Sequence, residues 1–444
     1  MANDKSLGTV AQLQDPNYEV PLGPRAALGM QHVLAMFVSN VTPSIIIAGA
    51  AGFAFGSGDT IFLIQMAMLF SGIATLMQTI GFGPVGARLP VMQGTSFAFV
   101  PIMIGIVKSG GLAVLFGAVI VAGIFHALLG FIIGRIRHWF PPLVTGMIIM
   151  AIGLALLPVG IKYAAGGAAE FQMNSPEWGN LSHWGLALIV IIVALGFKFF
   201  AKGLAASAAI LLGLIAGYVV GISMGQVNFA AVGNAAWFAL PQPFKYGIEF
   251  QAVAIIGMCM ISIVSAIETV GDISAIAKGG SNREATDKEL VGGTYADGLG
   301  SAVAGIFGGL PNTSFSQNVG LISMTGVMSR SVVTFAGLFL IACGLIPKIG
   351  AIVAAMPISV LGGGVILMFG MVVSAGINML SEVKWNRRNM IILATSLSIG
   401  LGLQAVPKSM QHLPDGIEML MISGLMPIAV LAVVLNLLLP EDVK

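Results

Sequence analysis

Charge is what this sequence lacks. Asp, Glu, Lys and Arg make up 9% of its 444 residues, whereas a soluble globular chain carries about 25%. That is too little to cover a water-facing surface. Cysteine is scarce too. Cys259 and Cys343 both sit inside apolar runs with no spacing pattern, which excludes a disulfide framework and a cysteine metal site. The net charge of +2 gives no basic excess for nucleic acid. The N-terminal tail has no apolar core of the signal-peptide kind, so no cleavage is expected. No HExxH or other metal spacing occurs, and no Ser/His/Asp set can be assembled. No cofactor or metal is expected, and an enzyme is disfavoured.

What fills the chain is hydrocarbon: 57% of residues are hydrophobic. Apolar runs of about 20 residues, each able to cross roughly 30 Å of lipid as a helix, recur from end to end. The expected class is an all-α polytopic membrane protein; a β-barrel would show short alternating segments instead. Breaks in the pattern give fourteen segments, near 27–50, 60–80, 90–107, 111–134, 142–162, 184–200, 204–224, 251–275, 289–309, 314–328, 331–349, 352–378, 387–406 and 417–439. The third and tenth are short and polar, and neither is expected to be one clean helix.

The basic residues test this count. With the N-terminus in the cytoplasm, fifteen of the 20 Lys and Arg fall on the cytoplasmic side. The other side keeps Lys108, Lys162, Lys245, Lys348 and Lys408. An even number of spans also returns the C-terminus to the cytoplasm.

An internal repeat lies beneath the count. "LPVMQGTSFAFVP" (89–101) and "LPNTSFSQNVG" (310–320) share Leu-Pro followed by Thr-Ser-Phe, and "FPPLVTGMIIMAIG" (140–153) matches "MPISVLGGGVILMFG" (356–370) at a nearly equal offset. Segments 1–7 and 8–14 therefore read as copies. Seven is odd, so the second copy is inverted. Inverted repeats with a broken segment at corresponding places are the signature of a secondary transporter, with the site at the breaks.

Few polar side chains fall deep in these segments. Glu268 and Asp272, four apart in "SAIETVGDISA", share a helical face. Asp297 lies in "TYADGLGS", and Gln31 and His32 in "GMQHVLAMF". A carboxylate in hydrocarbon marks an ion or substrate path, or else bonds helix ends together. Glu268, well inside its segment, favours the first; Asp272, Asp297 and His32 admit both. Phe97 and Phe315, one per break, can each cover a flat ligand or simply pack.

"QNVGLISMTG" (317–326) resembles the signature of the nucleobase–ascorbate transporter family, also called nucleobase:cation symporter-2: Gln, Glu or Pro, then Asn, any residue, Gly, four free positions, Thr, and Arg, Lys or Gly. Gln317, Asn318, Gly320, Thr325 and Gly326 meet every fixed position. "QHVL", "GTSF", "ETVGD" and "ADG" are similar to the family in the family's order. The resemblance implies two inverted seven-segment repeats, with segments 3 and 10 each pairing a short strand with a half-helix. It implies a core from residues 27–134 and 251–349, a gate from 142–224 and 352–439 that also forms a homodimer, and cytoplasmic tails at 1–26 and 440–444.

The implied activity is proton-coupled symport of a dioxopurine, uric acid or xanthine, across the cell membrane; a uracil carrier of the same fold is the alternative and a passive channel the rival from another class. By resemblance, Glu268 and Gln317 bind the purine, backbone at Phe97 and Ser316 adds contacts, and Phe315 stacks on the ring. Asp297, Asp272, Asn318 and His32 support binding or proton coupling. Ser96 and Val319 stand at positions that tune selectivity; a small hydroxyl residue at 96 leans to uric acid.

Overall fold

The computed structural model describes residues 8–136, 140–167, 171 and 173–440. Lys5, Arg137 and Lys444, three of the basic residues used for orientation, lie outside them, as do residues 1–7 and 441–444 of the two tails.

The first half runs α1 (Leu22–Ala50), α2 (Gly58–Thr79), β1 (Gln93–Thr95), α3 (Val100–Leu129), α4 (Pro142–Ala164), α5 (Leu181–Phe200) and α6 (Ala209–Ser223). The second runs α7 (Ala252–Ser281), α8 (Asp287–Ile306), β2 (Asn312–Ser314), α9 (Ser316–Thr325), α10 (Arg330–Gly344), α11 (Pro347–Ala354), α12 (Ile358–Leu380), α13 (Arg387–Ala405), α14 (Asp415–Ile422) and α15 (Leu425–Leu438). Among the described residues, seven helices are singly long and apolar enough to cross a membrane, or nine when each of two sharply bent pairs counts as one span.

The third and tenth segments are broken, as expected: a three-residue strand precedes each helix. Segments 3 and 4 also part where expected: α3 is two helices joined across a kink at Gly111, which takes φ 78° and ψ −175°, and glycine alone enters that region at no steric cost. Elsewhere the boundaries differ from the sequence reading. The region read as segments 11 and 12 holds three helices, with α10 and α11 meeting at 79° across Leu345 and Ile346 before Pro347. The last segment bends by 81° at Ser423–Gly424, where Gly424 has φ 73°.

Packing separates the helices into two groups. α1, α2, α3, α7, α8 and α10 pack on one another around the two strands, with α9 against α7 and α1. α4, α5, α6, α12, α13 and α15 form the second group, in which α4 and α12 share the closest contact. Small residues allow it, as expected where lipid gives helices no hydrophobic reason to associate. A Cβ on Gly376 of α12 would strike the Met150 backbone of α4, and one on Gly298 of α8 would strike Ala127 of α3. The α4–α12 contact brings together the second pair of repeated sequences.

The first pair meets more directly. β1 and β2 pair antiparallel, with Gln93 opposite Ser314, Gly94 opposite Thr313 and Thr95 opposite Asn312. The Ser96 N–H continues the ladder to the Pro311 carbonyl at 2.9 Å. Antiparallel pairing of equivalent strands is what inversion of the repeat requires. It also satisfies backbone groups that lipid cannot.

Candidate functional site: a chamber between two half-helices

Where the strands end, helices begin. β1 leads through Ser96–Phe99 into α3, whose start is fixed by Pro101 in its first turn; Pro lacks an N–H that would be unpaired there anyway. β2 leads through Phe315 directly into α9, a ten-residue helix closed by Gly326 at φ 69°. Each start leaves N–H groups without an intrahelical acceptor, and both carry the positive end of a helix dipole. No side-chain cap satisfies either.

These two starts line a chamber of about 460 Å³ with the middle of α7 and parts of α4 and α12. From the break segments come Ser96, Phe97, Phe315, Ser316 and Gln317; from α7 come Glu268 and Asp272. The chamber extends along the α4, α7 and α12 ends that adjoin the Lys- and Arg-rich loops, reaching Thr145, Ala275 and Asn378. On the opposite side the two groups close together: a Cβ on Gly49 would lie 3.3 Å from the Tyr163 hydroxyl, and Met419 of α14 sits against Gly105.

The three acids have different surroundings. Asp272 accepts from the Ser314 hydroxyl at 2.6 Å and the Ser316 hydroxyl at 2.8 Å, so it ties α7 to the β2–α9 break. Asp297 is completely buried. It accepts from Gln78 Nε2 at 2.6 Å and from the Thr269 hydroxyl. Gln78 also donates to the Gly293 carbonyl and accepts from the Ala87 N–H, which joins α2, α8 and the loop before β1. Glu268 is half-buried on the chamber wall and, among the described residues, has no hydrogen-bond or ion-pair partner. None of the three has a basic partner among those residues.

The remaining residues singled out in the sequence divide into those on the chamber and those behind it. Ser316 and Gln317 are exposed to it. Ser96 lines it, its hydroxyl buried and without a hydrogen-bond partner among the described residues. Phe97 is half-buried and meets Phe369 of α12 edge-on at 5.5 Å. Phe315 touches the chamber, yet its ring is 4% exposed and packs with Met36, Met92 and Leu340; a Cβ on Gly94 would run into that ring. Asn318 points away, donating to the His32 carbonyl at 3.0 Å with Nδ1 of the same ring also at 3.0 Å, which anchors α9 to α1. Val319 lies outside the chamber wall and packs against the aliphatic cluster that contains Ile267, Val270 and Met328. Gln31 donates to the Ser207 hydroxyl at 3.3 Å.

Sequence reading passed over the support of β1. Asn40 of α1 is fully buried, and its carbonyl oxygen accepts from the Thr95 N–H at 2.8 Å and the Ser71 hydroxyl at 2.6 Å. Gln78, Thr269, Thr145 and Asn378 were likewise not singled out. The signal available was the same one that picked out Gln317, an amide or hydroxyl in an apolar run, but without a motif around it.

Known proteins share both the sequence and the architecture. The Permease family profile matches residues 25–409. The chain is 38% identical to the uric acid transporter UacT of Escherichia coli over 93% of its own length and 86% of that protein's. It is 36% identical to the xanthine permease XanQ of E. coli over 92% and 90%. In structure it resembles the transmembrane domain of the cyanobacterial bicarbonate transporter BicA, with a TM-score of 0.58 at 15% identity, covering 91% of this chain and 96% of that one. The fold is therefore that of fourteen segments in two inverted sevens, and the chain belongs to the Permease family, as a multi-pass membrane transporter and not an enzyme.

Proposed function

We propose that this chain imports an oxopurine, uric acid or xanthine, together with protons, by alternating access. The observation that carries the reading is Glu268: a carboxylate on a membrane-embedded chamber, facing two half-helix starts, with no partner of its own among the described residues. A buried charge without a partner is costly, and a ligand with N–H donors removes that cost.

Either oxopurine supplies such donors. Its ring carries adjacent N–H and C=O groups, so Glu268 accepts from N–H while the Gln317 amide donates to a carbonyl and accepts from a neighbouring N–H. The N–H groups at Phe97 and Ser316 suit a carbonyl or an anionic urate. Phe97, half-buried on the chamber wall, covers the ring plane. The chamber volume of about 460 Å³ lies within the ~300–1,000 Å³ of small-ligand sites. The similar proteins UacT and XanQ are named for uric acid and xanthine, which supports the same substrate class here. An inorganic-anion exchanger on the BicA fold suits this chamber less, since a small inorganic anion brings no N–H donors to Glu268 that would offset its repulsion.

In this reading α1–α3 and α7–α10 form the core (27–134 and 251–349), and α4–α6 with α12–α15 form the gate (142–224 and 352–439) and the homodimer contact. α5, buried over 22% of its apolar stretch, offers a face for lipid or a second copy. The Lys and Arg asymmetry supports a place in the cell membrane with cytoplasmic termini, and the chamber then faces inward. A proton on Asp297 or Glu268 neutralises the loaded core for its movement between faces. Thr269, next to Glu268 in sequence, donates to Asp297 and links the two. Asp272, Asn318 and His32 hold the break segments.

Proteoliposomes offered radiolabelled xanthine, with urate, uracil and hypoxanthine as competitors, test this with and without a pH step. Accumulation driven by the step, collapsed by a protonophore and competed by urate, is expected. Competition by uracil alone moves the reading to a pyrimidine carrier. Uptake driven by a sodium gradient and indifferent to protonophores removes the proton coupling, and failure to accumulate against a gradient indicates a channel.

A further inference from the structure

Behind Gln317 lies a second cavity, of about 530 Å³, between α1 and α9 on one side and α5, α6 and α12 on the other. It shares only Gln317 and Met371 with the purine chamber. Its chemistry is the reverse of its neighbour's. The chamber holds two carboxylates and no cation, whereas this cavity holds no acid and one cation, Lys198. The other walls are aliphatic or aromatic apart from Gln317, Ser39 and Ser207. Both hydroxyls are already engaged, Ser39 with the Met368 sulfur and Ser207 with Gln31 and the Gly203 carbonyl. α9 turns Gly320 toward open space, where a Cβ would meet nothing within 4 Å.

A purine here would leave its N–H and C=O groups unpaired; a hydrocarbon chain has none to lose. Lys198 stands in the last turn of α5, beside Phe199 and Phe200, which are 76% and 90% exposed. That is the depth at which membrane helices place a snorkelling cation and aromatic side chains. Among the described residues, Lys198 has no hydrogen-bond or ion-pair partner.

We propose that this cavity binds a single-chain anionic amphiphile, a long-chain fatty-acid anion, with its hydrocarbon between α1, α9 and α12 and its carboxylate at Lys198. Such a ligand touches both helix groups at once. On the transport reading above, it holds them in the present arrangement and slows turnover without displacing the purine.

Binding is read without any transport assay, so its failure is separable from failure of the purine reading. The full chain in nanodiscs of zwitterionic lipid is given 16-doxyl stearate above the carboxylate's titration range, and the immobilised spectral component is followed. Ala206→Phe and, from another wall, Leu211→Phe fill the cavity; each should abolish that component while purine binding, measured in parallel, reports an intact fold. Lys198→Gln should weaken stearate binding about two- to fivefold, the size expected for an ion pair open to water, and should leave binding of the methyl ester unchanged. Stearate signal unchanged in both filling variants overturns the proposal in favour of annular lipid. Displacement of stearate by xanthine overturns it in favour of a single, larger substrate chamber.

Discussion

The two breaks carry the same triplet, Thr-Ser-Phe, and use it differently. In the first, Thr95 is fastened by Asn40, Ser96 keeps its hydroxyl buried without a partner, and Phe97 stays half-open beside Phe369. In the second, Ser314 is taken by Asp272, while Phe315 turns back over Gly94 into an aliphatic cluster. The helix after the first break runs from Val100 to the kink at Gly111 and the helix after the second ends at Gly326, so a short half-helix follows each. The acids and amides that face the chamber, Glu268, Asp272, Gln317 and Asn378, all belong to the second half. Duplication thus preserved the backbone device, paired strands with half-helix starts, and left side-chain chemistry to one copy. The first half contributes chiefly N–H groups and shape.

That division is broken most sharply at Glu268. Glu268→Gln keeps the size of the side chain and removes its charge, and it should weaken xanthine or urate binding about 100-fold or more, in line with losing a charged acceptor for which no protein donor substitutes. Surface level and melting temperature should stay near wild type, because no described residue bonds to Glu268. Calorimetric titration of purified protein checks it; binding that survives would place the site outside the second half's acids.

The two phenylalanines sharpen the contrast. Phe315→Ala empties a buried cluster and should cost about 3–5 kcal/mol of stability, seen as a large drop in melting temperature in detergent. Phe97→Ala removes a side chain that is only half-buried, so it should cost less stability. It should instead raise the KM for purine, because no ring then covers the face of the base. Equal melting temperatures for the two variants would show that the triplets are equivalent after all.

Asp297 and Asn40 probe the layer behind the strands. Asp297→Asn keeps the shape but gives Gln78 and Thr269 a neutral partner. Purine binding should persist within about tenfold, while uptake driven by a pH step falls further than binding does. Asn40→Ala unfastens Thr95 without removing a chamber-lining side chain; its expected effect is a loss of about 1–3 kcal/mol from the unsatisfied Thr95 N–H.

How much of this the sequence displayed follows from the kind of signal each feature left. Spans and their inversion were legible because hydrocarbon needs long apolar runs and because the loops alternate in Lys and Arg. The breaks at segments 3 and 10 were legible from their Pro and Gly and their repeated triplet. The bends before Pro347 and at Gly424 were not, since apolar residues continue through them and hydropathy carries no direction. At the site, Glu268 and Gln317 stood out as isolated polar groups inside a motif. Asn40, Gln78 and Asn378 carry the same kind of signal, but a lone amide on a helix does not reveal which strand or carboxylate it faces until the helices are packed. Phe315 shows the converse: its place in a repeat suggested a ligand-covering ring, and packing over Gly94 leaves it little surface to offer.

The smallest expected effect concerns selectivity, and it separates two residues that sequence reading treated alike. Ser96 lines the chamber with an unpartnered hydroxyl, so a larger amide there changes both the space and the donors around the purine. Val319 is not part of the chamber wall and packs against an aliphatic cluster that includes Ile267 and Val270 of α7, so it reaches the ligand only indirectly. Ser96→Asn should therefore shift the urate-to-xanthine uptake ratio toward xanthine by a few-fold, a change of about 1 kcal/mol. Val319→Asn should leave the ratio within error and instead lower stability, since it puts an amide among Ile267, Val270 and Met328. Competition curves for the two single variants decide it. A shift with Val319→Asn but not with Ser96→Asn would mean that the orientation of α9, rather than the chamber wall of the first half, selects the purine.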